Sequence, residues 1–175
     1  MCEIRYANAN DAKSLGKIHS SSWKAAYKGI IPEKVLDNIT AEKREKYFKK
    51  ALSEELEEDA IIFEGNKPAG FICIGKCRDK DKDASYGEIC GLYLLPDYWH
   101  KGLGTKLINW GLAELKKRSY EKITLWVLEK NLSARRFYEK VGFRFDETVN
   151  EINIGKKLNE VRYVKKLISE DGEHL

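Results

Sequence analysis

The chain has 175 residues, 42% of them apolar and 11% aromatic, which is enough to bury a core and ordinary for one globular domain, expected to span residues 1–175. Its 32 basic and 28 acidic residues give a net charge of +4 but interleave, so nucleic-acid binding, which needs a basic stripe, is disfavoured. No apolar run reaches the roughly 18 residues of a membrane helix, CEIRYAN does not read as a leader, and Cys2, Cys73, Cys77 and Cys90 show neither CxxC nor a nearby histidine pair. A cytoplasmic protein with reduced thiols, no membrane contact and no metal is expected.

Cys2 to Ala7 alternates as a strand does, and Asn10 or Asp11 is suited to cap a helix carrying Leu15, Ile18, Trp23 and Tyr27. Gly29 and Pro32 interrupt it, Pro32 fits the first turn of a short helix PEKVLDNI, and Thr40 caps a third segment reaching about Leu56. DAIIFEGNKPAGFICIGK reads as a hairpin turning at Gly65-Asn66-Lys67-Pro68, and RDKDKD, Arg78 to Asp83, as a solvated loop tip. Ser85 to Leu95 is a further strand closed by Pro96. A helix from about Leu103 to Arg118, the strand KITLWVL, the helix of NLSARRFYEKVG and two terminal strands complete the chain. Strand, glycine turn, helix, strand and helix in succession make a crossover unit, so the class is α/β or mixed α+β.

YWHKGLGTKLI puts Gly102 and Gly104 immediately before an apolar-periodic run. Bare backbone at a helix N-terminus offers unpaired N–H groups and the positive end of the dipole, which suits a phosphate. GxxxxGK[ST] is absent, and the third glycine of a dinucleotide fingerprint is replaced by Leu107. Taken alone, the pair could equally serve only to turn the chain.

In NLSARRFYEKVGF, Asn131 and Tyr138 are seven apart and share a helix face with Ala134, while Phe137 and Val141 can face the core. Gly142 suits a left-handed cap. A tyrosine here packs by default, but one facing a phosphate cradle can offer a phenolic proton.

Together, PDYWHKGLG and NLSARRFYEKVGF resemble the pyrophosphate loop and second cofactor motif of the GCN5-related N-acetyltransferase (GNAT) family, with helix and strand between them as that family arranges them. The resemblance implies a mixed, mostly antiparallel sheet of about seven strands flanked by helices, with a parallel pair splayed into a cleft. It also implies acetyl-coenzyme A as donor, without metal, and direct transfer to a primary amine of a small molecule or peptide in a ternary complex. A homodimer is compatible with it, and the alternative is a coenzyme A-binding module without turnover.

Carried over residue by residue, Trp99, His100, Lys101, Gly102, Leu103, Gly104 and Thr105 match the pyrophosphate loop, and Asn131 a further cofactor contact. Trp99 stands where the family usually has Gln or Arg. Leu92, Tyr93 and Leu94 match the strand that pairs with the pantetheine arm and polarises the thioester carbonyl; Tyr138 matches the acid for the leaving thiolate. Glu88, grouped by alternation with Cys90, Leu92 and Leu94, resembles the catalytic glutamate of the histone-acetylating branch. A solvated carboxylate at the beginning of the strand is the other reading of Glu88, and bulk water through an ordered chain is a third candidate for the base. The ribosomal-protein branch's glutamate position is occupied by Trp126, read as packing. Trp23 and Tyr27, one turn apart, either belong to the core or wall the acceptor site, as SWxxAYxGIIP does in acetylating relatives. A cationic or peptide amine would suit such aromatic walls.

Overall fold

In a computed structural model that describes residues 2–167, seven strands form one sheet: β1 (Cys2–Tyr6), β2 (Glu58–Glu64), β3 (Lys67–Lys76), β4 (Tyr86–Leu94), β5 (Lys122–Leu128), β6 (Arg144–Asn153) and β7 (Lys157–Lys166). Their spatial order is β1-β2-β3-β4-β5-β7-β6, antiparallel throughout except for the β4–β5 pair. The helices are α1 (Ala12–Ala26), α2 (Glu33–Asn38), α3 (Ala41–Ser53), α4 (Leu103–Lys117) and α5 (Leu132–Lys140). Among the described residues no helix is long and apolar enough to cross a membrane.

The core divides by sheet face. Leu103, Leu107, Ile108, Leu112 and Leu115 recur at helical spacing on α4 and bury against Ile72, Ile74 and Ile89. Each such side chain contributes about 1.5–3 kcal/mol over its exposed state. Tyr138 and Phe143 complete this cluster. Leu15, Ile18 and Phe48 from α1 and α3 cover a second cluster around Ile61 and Phe71.

Strands β4 and β5 pair only at Tyr86–Lys122, Gly87–Ile123 and Glu88–Thr124. Beyond Glu88, β4 keeps β3 as its neighbour while β5 follows β7, so the parallel pair opens into a gap. In β4, the register against β3 slips between Cys73 and Ile74, leaving Cys90 as the extra residue of a bulge. Ile89 pairs with Ile74 and Leu92 with Ile72, whereas Tyr93 pairs with Phe71 on the other core face. The bulge therefore breaks the expected alternation: Glu88 does not share a face with Leu92 and Leu94.

Three local readings change. Asp11 stands at the N-cap position of α1 but makes no side-chain cap there; the capping pair lies one turn upstream, where the Asn8 side chain accepts from the Asn10 N–H and Asp11 accepts from the Asn8 N–H at 2.9 Å. A short 3-10 turn, Ala9–Asp11, precedes α1 and moves the cap upstream. Pro68 lies within β3, and only Gly65 and Asn66 turn the hairpin. The stretch 78–83 is a largely exposed loop, as expected, but it is anchored. Arg162, 3% exposed on β7, donates to Asp79 at 3.1 Å, to Asp81 at 2.8 and 2.7 Å, and to Asp146 at 2.7 Å. The loop is strapped across the sheet by carboxylates whose shared partner lies far along the chain.

Candidate active site

The gap between β4 and β5 opens into a cleft of about 1060 Å³. One wall comes from the loop after β4 and from α4 and α5; the other comes from α1, β6, β7 and the base of β4.

Gly102 takes φ +78° at the foot of α4, a left-handed conformation that an L side chain rarely adopts. His100 also has positive φ, +59°. The first intrahelical bond runs from Lys106 N–H to Gly102 C=O, so the N–H groups of Leu103, Gly104 and Thr105 lack intrahelical acceptors. Gly102, Gly104 and Thr105 line the cleft. A Cβ on Gly104 would meet Leu94 Cδ1 at 3.3 Å and Phe137 at 3.5 Å, so this glycine lets α4, β4 and α5 converge. These unmet donors and the open space beside Gly102 fit a pyrophosphate. Leu103 can contribute only backbone, because its side chain is in the core. Lys101 is exposed, with its ammonium 5.6 Å from the Tyr98 ring centre, and does not line the cleft. Trp99 does line it, and its indole N–H donates to Leu94 C=O at 2.9 Å, so the residue that departs from the family pattern ties the loop to β4.

Asn131 Oδ1 accepts from the Ala134 N–H at 3.3 Å and caps α5, which fixes its position beside the cleft. Gly142, at φ +96°, ends the turn after α5. Tyr138 is 8% exposed and lines the same cleft; its hydroxyl makes no hydrogen bond among the described residues. Burial, then the nearby Tyr93 phenol, push its pKa well above the ordinary tyrosine value. Tyr27 is shifted the same way by burial and by Tyr93 and Tyr138. Three phenols thus converge as retained proton donors.

Leu92, Tyr93 and Leu94 run along the cleft where β4 has left β5. Glu88 also lines it but is 2% exposed, which corrects the solvated alternative. Arg78 holds it: the backbone N–H and Nε reach Oε2 at 3.1 and 3.0 Å, and Nη2 reaches Oε1 at 2.8 Å. A carboxylate has about four acceptor positions, so one on Oε1 is left for a further donor.

Trp23 packs edge-on to Tyr27, ring centres 4.8 Å apart, and stacks on His19 at 5.2 Å. Both aromatics pack against a small cluster around Ile31 and Leu128 and also line the cleft. Burial and the nearby Arg44 charge hold His19 at about 3, a neutral ring that can stack without bringing charge into the aromatic group.

Sequence reasoning did not single out Arg78, Cys90, Ile152, Ile154 or Glu160 as cleft residues, and it read Trp126 as packing. Trp126 instead donates to Asp79 at 3.1 Å and stacks near the Arg162 guanidinium, within the cleft wall. No local pattern announces such residues, because each is placed by sheet order.

The family model described as Acetyltransferase (GNAT) family matches residues 21–143, from within α1 to the residue before β6. The chain belongs to the GNAT family. It is an acetyl-coenzyme A-dependent acetyltransferase of that family, and among the described residues no cluster of His, Cys, Asp and Glu could hold a metal ion. The chain is 30% identical to a spermidine N(1)-acetyltransferase of Thermoplasma acidophilum over 154 residues, 83% of this chain and 90% of that protein. It is 29% identical to the uncharacterized N-acetyltransferase YuaI of Bacillus subtilis, covering 92% and 91%. Its structure is similar to PaiA N-acetyltransferase from Thermoplasma acidophilum in complex with coenzyme A, with a TM-score of 0.76, 25% identity, and coverage of 95% of this chain and 99% of that one. GNAT membership accounts for the splayed parallel pair and the glycine turn as parts of one design.

Proposed function

We propose that this chain transfers the acetyl group of acetyl-coenzyme A directly to a primary amine, a small cationic amine or a peptide amine, in the cytoplasm. The observation that carries this reading is that a single cleft holds anion-binding backbone on one wall and aromatic rings with a buried carboxylate on the other. The spermidine specificity in the name of one relative supports a cationic acceptor.

Bound acetyl-coenzyme A supplies an acyl group already activated as a thioester. The N–H groups of Gly104 and Thr105 hold the pyrophosphate at the foot of α4, with Asn131 beside it. The backbone of Leu92–Leu94 faces the gap, where an N–H can polarise the thioester carbonyl. Trp23 and Tyr27 receive the ammonium by ring-face attraction, worth about 0.5–2 kcal/mol. The free position on Glu88 Oε1 takes the ammonium proton, directly or through one water, leaving a neutral nucleophile. Tyr138 Oη, protonated across the working pH range, gives its proton to the departing sulfur.

The test is thiol release from acetyl-coenzyme A with spermidine, a simple diamine, a peptide with a free N-terminus and an anionic amino acid. Release with a cationic or peptide amine and little with the anionic one is expected. Tight coenzyme A binding without release from any of them would overturn the enzymatic reading in favour of a binding module.

A further inference from the structure

Three neighbouring strands align Asp59, Cys73 and Cys90 in one row. Asp59 on β2 is in register with Cys73 on β3, and Cys73 opposes Gly91 together with the bulged Cys90 on β4. Asp59 is 1% exposed, and neither carboxylate oxygen has a hydrogen-bond partner. Burying an unpartnered acid costs free energy, and acetyl transfer as derived above makes no use of it. The row is not sealed, because Cys90 lines the cleft.

We propose that Cys73 and Cys90 are a reversible redox pair that closes to a cross-strand disulfide at the expense of a low-molecular-weight disulfide entering the cleft. The bulge carries the geometry: two residues of β4 face one of β3, which brings the thiols against each other, and neighbouring antiparallel strands hold Cα atoms at the spacing that a disulfide spans. Each thiol acts on the other, raising Cys73 and lowering Cys90. Cys90 lines the cleft and Cys73 does not, so Cys90 is the accessible thiol and the attacking one.

The steps balance. Cys90 Sγ attacks one sulfur of the external disulfide, forming a mixed disulfide and releasing one thiol. The Cys73 proton passes to Asp59, Cys73 Sγ attacks Cys90 Sγ, and the second external thiol leaves, taking the proton from Asp59. Two protein thiols are oxidised and one external disulfide is reduced to two thiols. Burial pushes Asp59 up to about 8, with Glu57 adding to the shift, so the carboxylate that takes this proton forms as pH rises through about 8, and closure should quicken over that range. The other charged and titratable groups facing the pair are Glu88 and Arg78 from the base of β4 and the loop, Tyr93 further along β4, and Tyr47 from α3. The carboxylates among them favour an uncharged disulfide over a lasting thiolate.

The pair does not depend on which amine is acetylated, so its failure and the failure of the functional reading are separable. The experiment incubates the full-length protein with oxidised glutathione, denatures it in alkylating reagent and measures mass and linked peptides. A Cys73–Cys90 peptide is expected, with the intact protein lighter by two hydrogen atoms and the other two cysteines alkylated. The variant Cys73→Ser should stop at one glutathione adduct on Cys90, and Asp59→Asn should slow closure about 10²-fold while leaving adduct formation intact. A stable glutathione adduct on Cys90 of the parent protein, or four alkylated cysteines, would overturn the proposal. Closure at an unchanged rate in Asp59→Asn would overturn the role of the acid.

Discussion

The two walls of the cleft are built from different material. On the proposed cofactor side the recognition elements are backbone: the N–H groups at the foot of α4, the left-handed Gly102 and the capped start of α5. On the proposed acceptor side the lining consists of side chains from distant elements, namely Trp23 and Tyr27 on α1 and its cap, Glu88 on β4, Trp126 on β5 and Glu160 on β7. Backbone recognition needs a short, contiguous motif, because conformation is set by neighbours in sequence. Side-chain recognition needs only that the sheet bring residues together, so these residues can change without moving the donor site.

The largest expected effect tests whether the acceptor wall depends on its strap. Arg162→Met leaves the carboxylates of Asp79 and Asp146 facing each other without their buried cation, and should cost about 3 kcal/mol of stability in a urea titration. A cost below about 0.5 kcal/mol, the usual limit for a neutral surface change, would mean that the loop is held by other contacts.

Tyr138 stands where the walls meet. Tyr138→Phe should lower turnover by about 10²-fold with little change in either KM, measured where chemistry limits the rate. Full turnover in the variant would make this residue part of the core alone. Gly104→Val tests the backbone wall: its side chain would crowd Leu94 and Phe137 and shift the foot of α4, weakening coenzyme A about tenfold by calorimetry. Unchanged affinity in a folded variant would place the pyrophosphate elsewhere.

The smallest effect belongs to the aromatic wall. Trp23→Leu and Tyr27→Leu should each raise the acceptor KM about fivefold and leave the cofactor KM alone, matching ring-face attraction near 1 kcal/mol. A lower melting temperature with unaltered kinetics would instead assign both rings to packing around Ile31 and Leu128.

Legibility in the sequence follows the same division. The strands, helices and glycine turn could be read because apolar period and capping residues are local signals, as at Thr40, whose hydroxyl accepts from the Lys43 N–H, and at Gly142. Asn8 was missed because the 3-10 turn before α1 displaces the cap from the start of the apolar period. The face of Glu88 was misread because one bulged residue, Cys90, inverts strand alternation and leaves no mark in composition. The strap of residues 78–83 was invisible for a different reason: its aspartates look solvated until β7 supplies Arg162 from the far side of the sheet.

The three-pair contact between β4 and β5 has a consequence for amide exchange. Past Glu88, the amides of Gly91 to Leu94 that point away from β3 have no neighbouring strand to bond. They form a sheet edge inside the molecule, in a slot suited to one extended chain bearing its own amides. In deuterated solvent the free protein should exchange this segment faster than the paired Tyr86 to Glu88, and coenzyme A should slow it selectively. The missing strand leaves an edge that a ligand with amides of its own can complete.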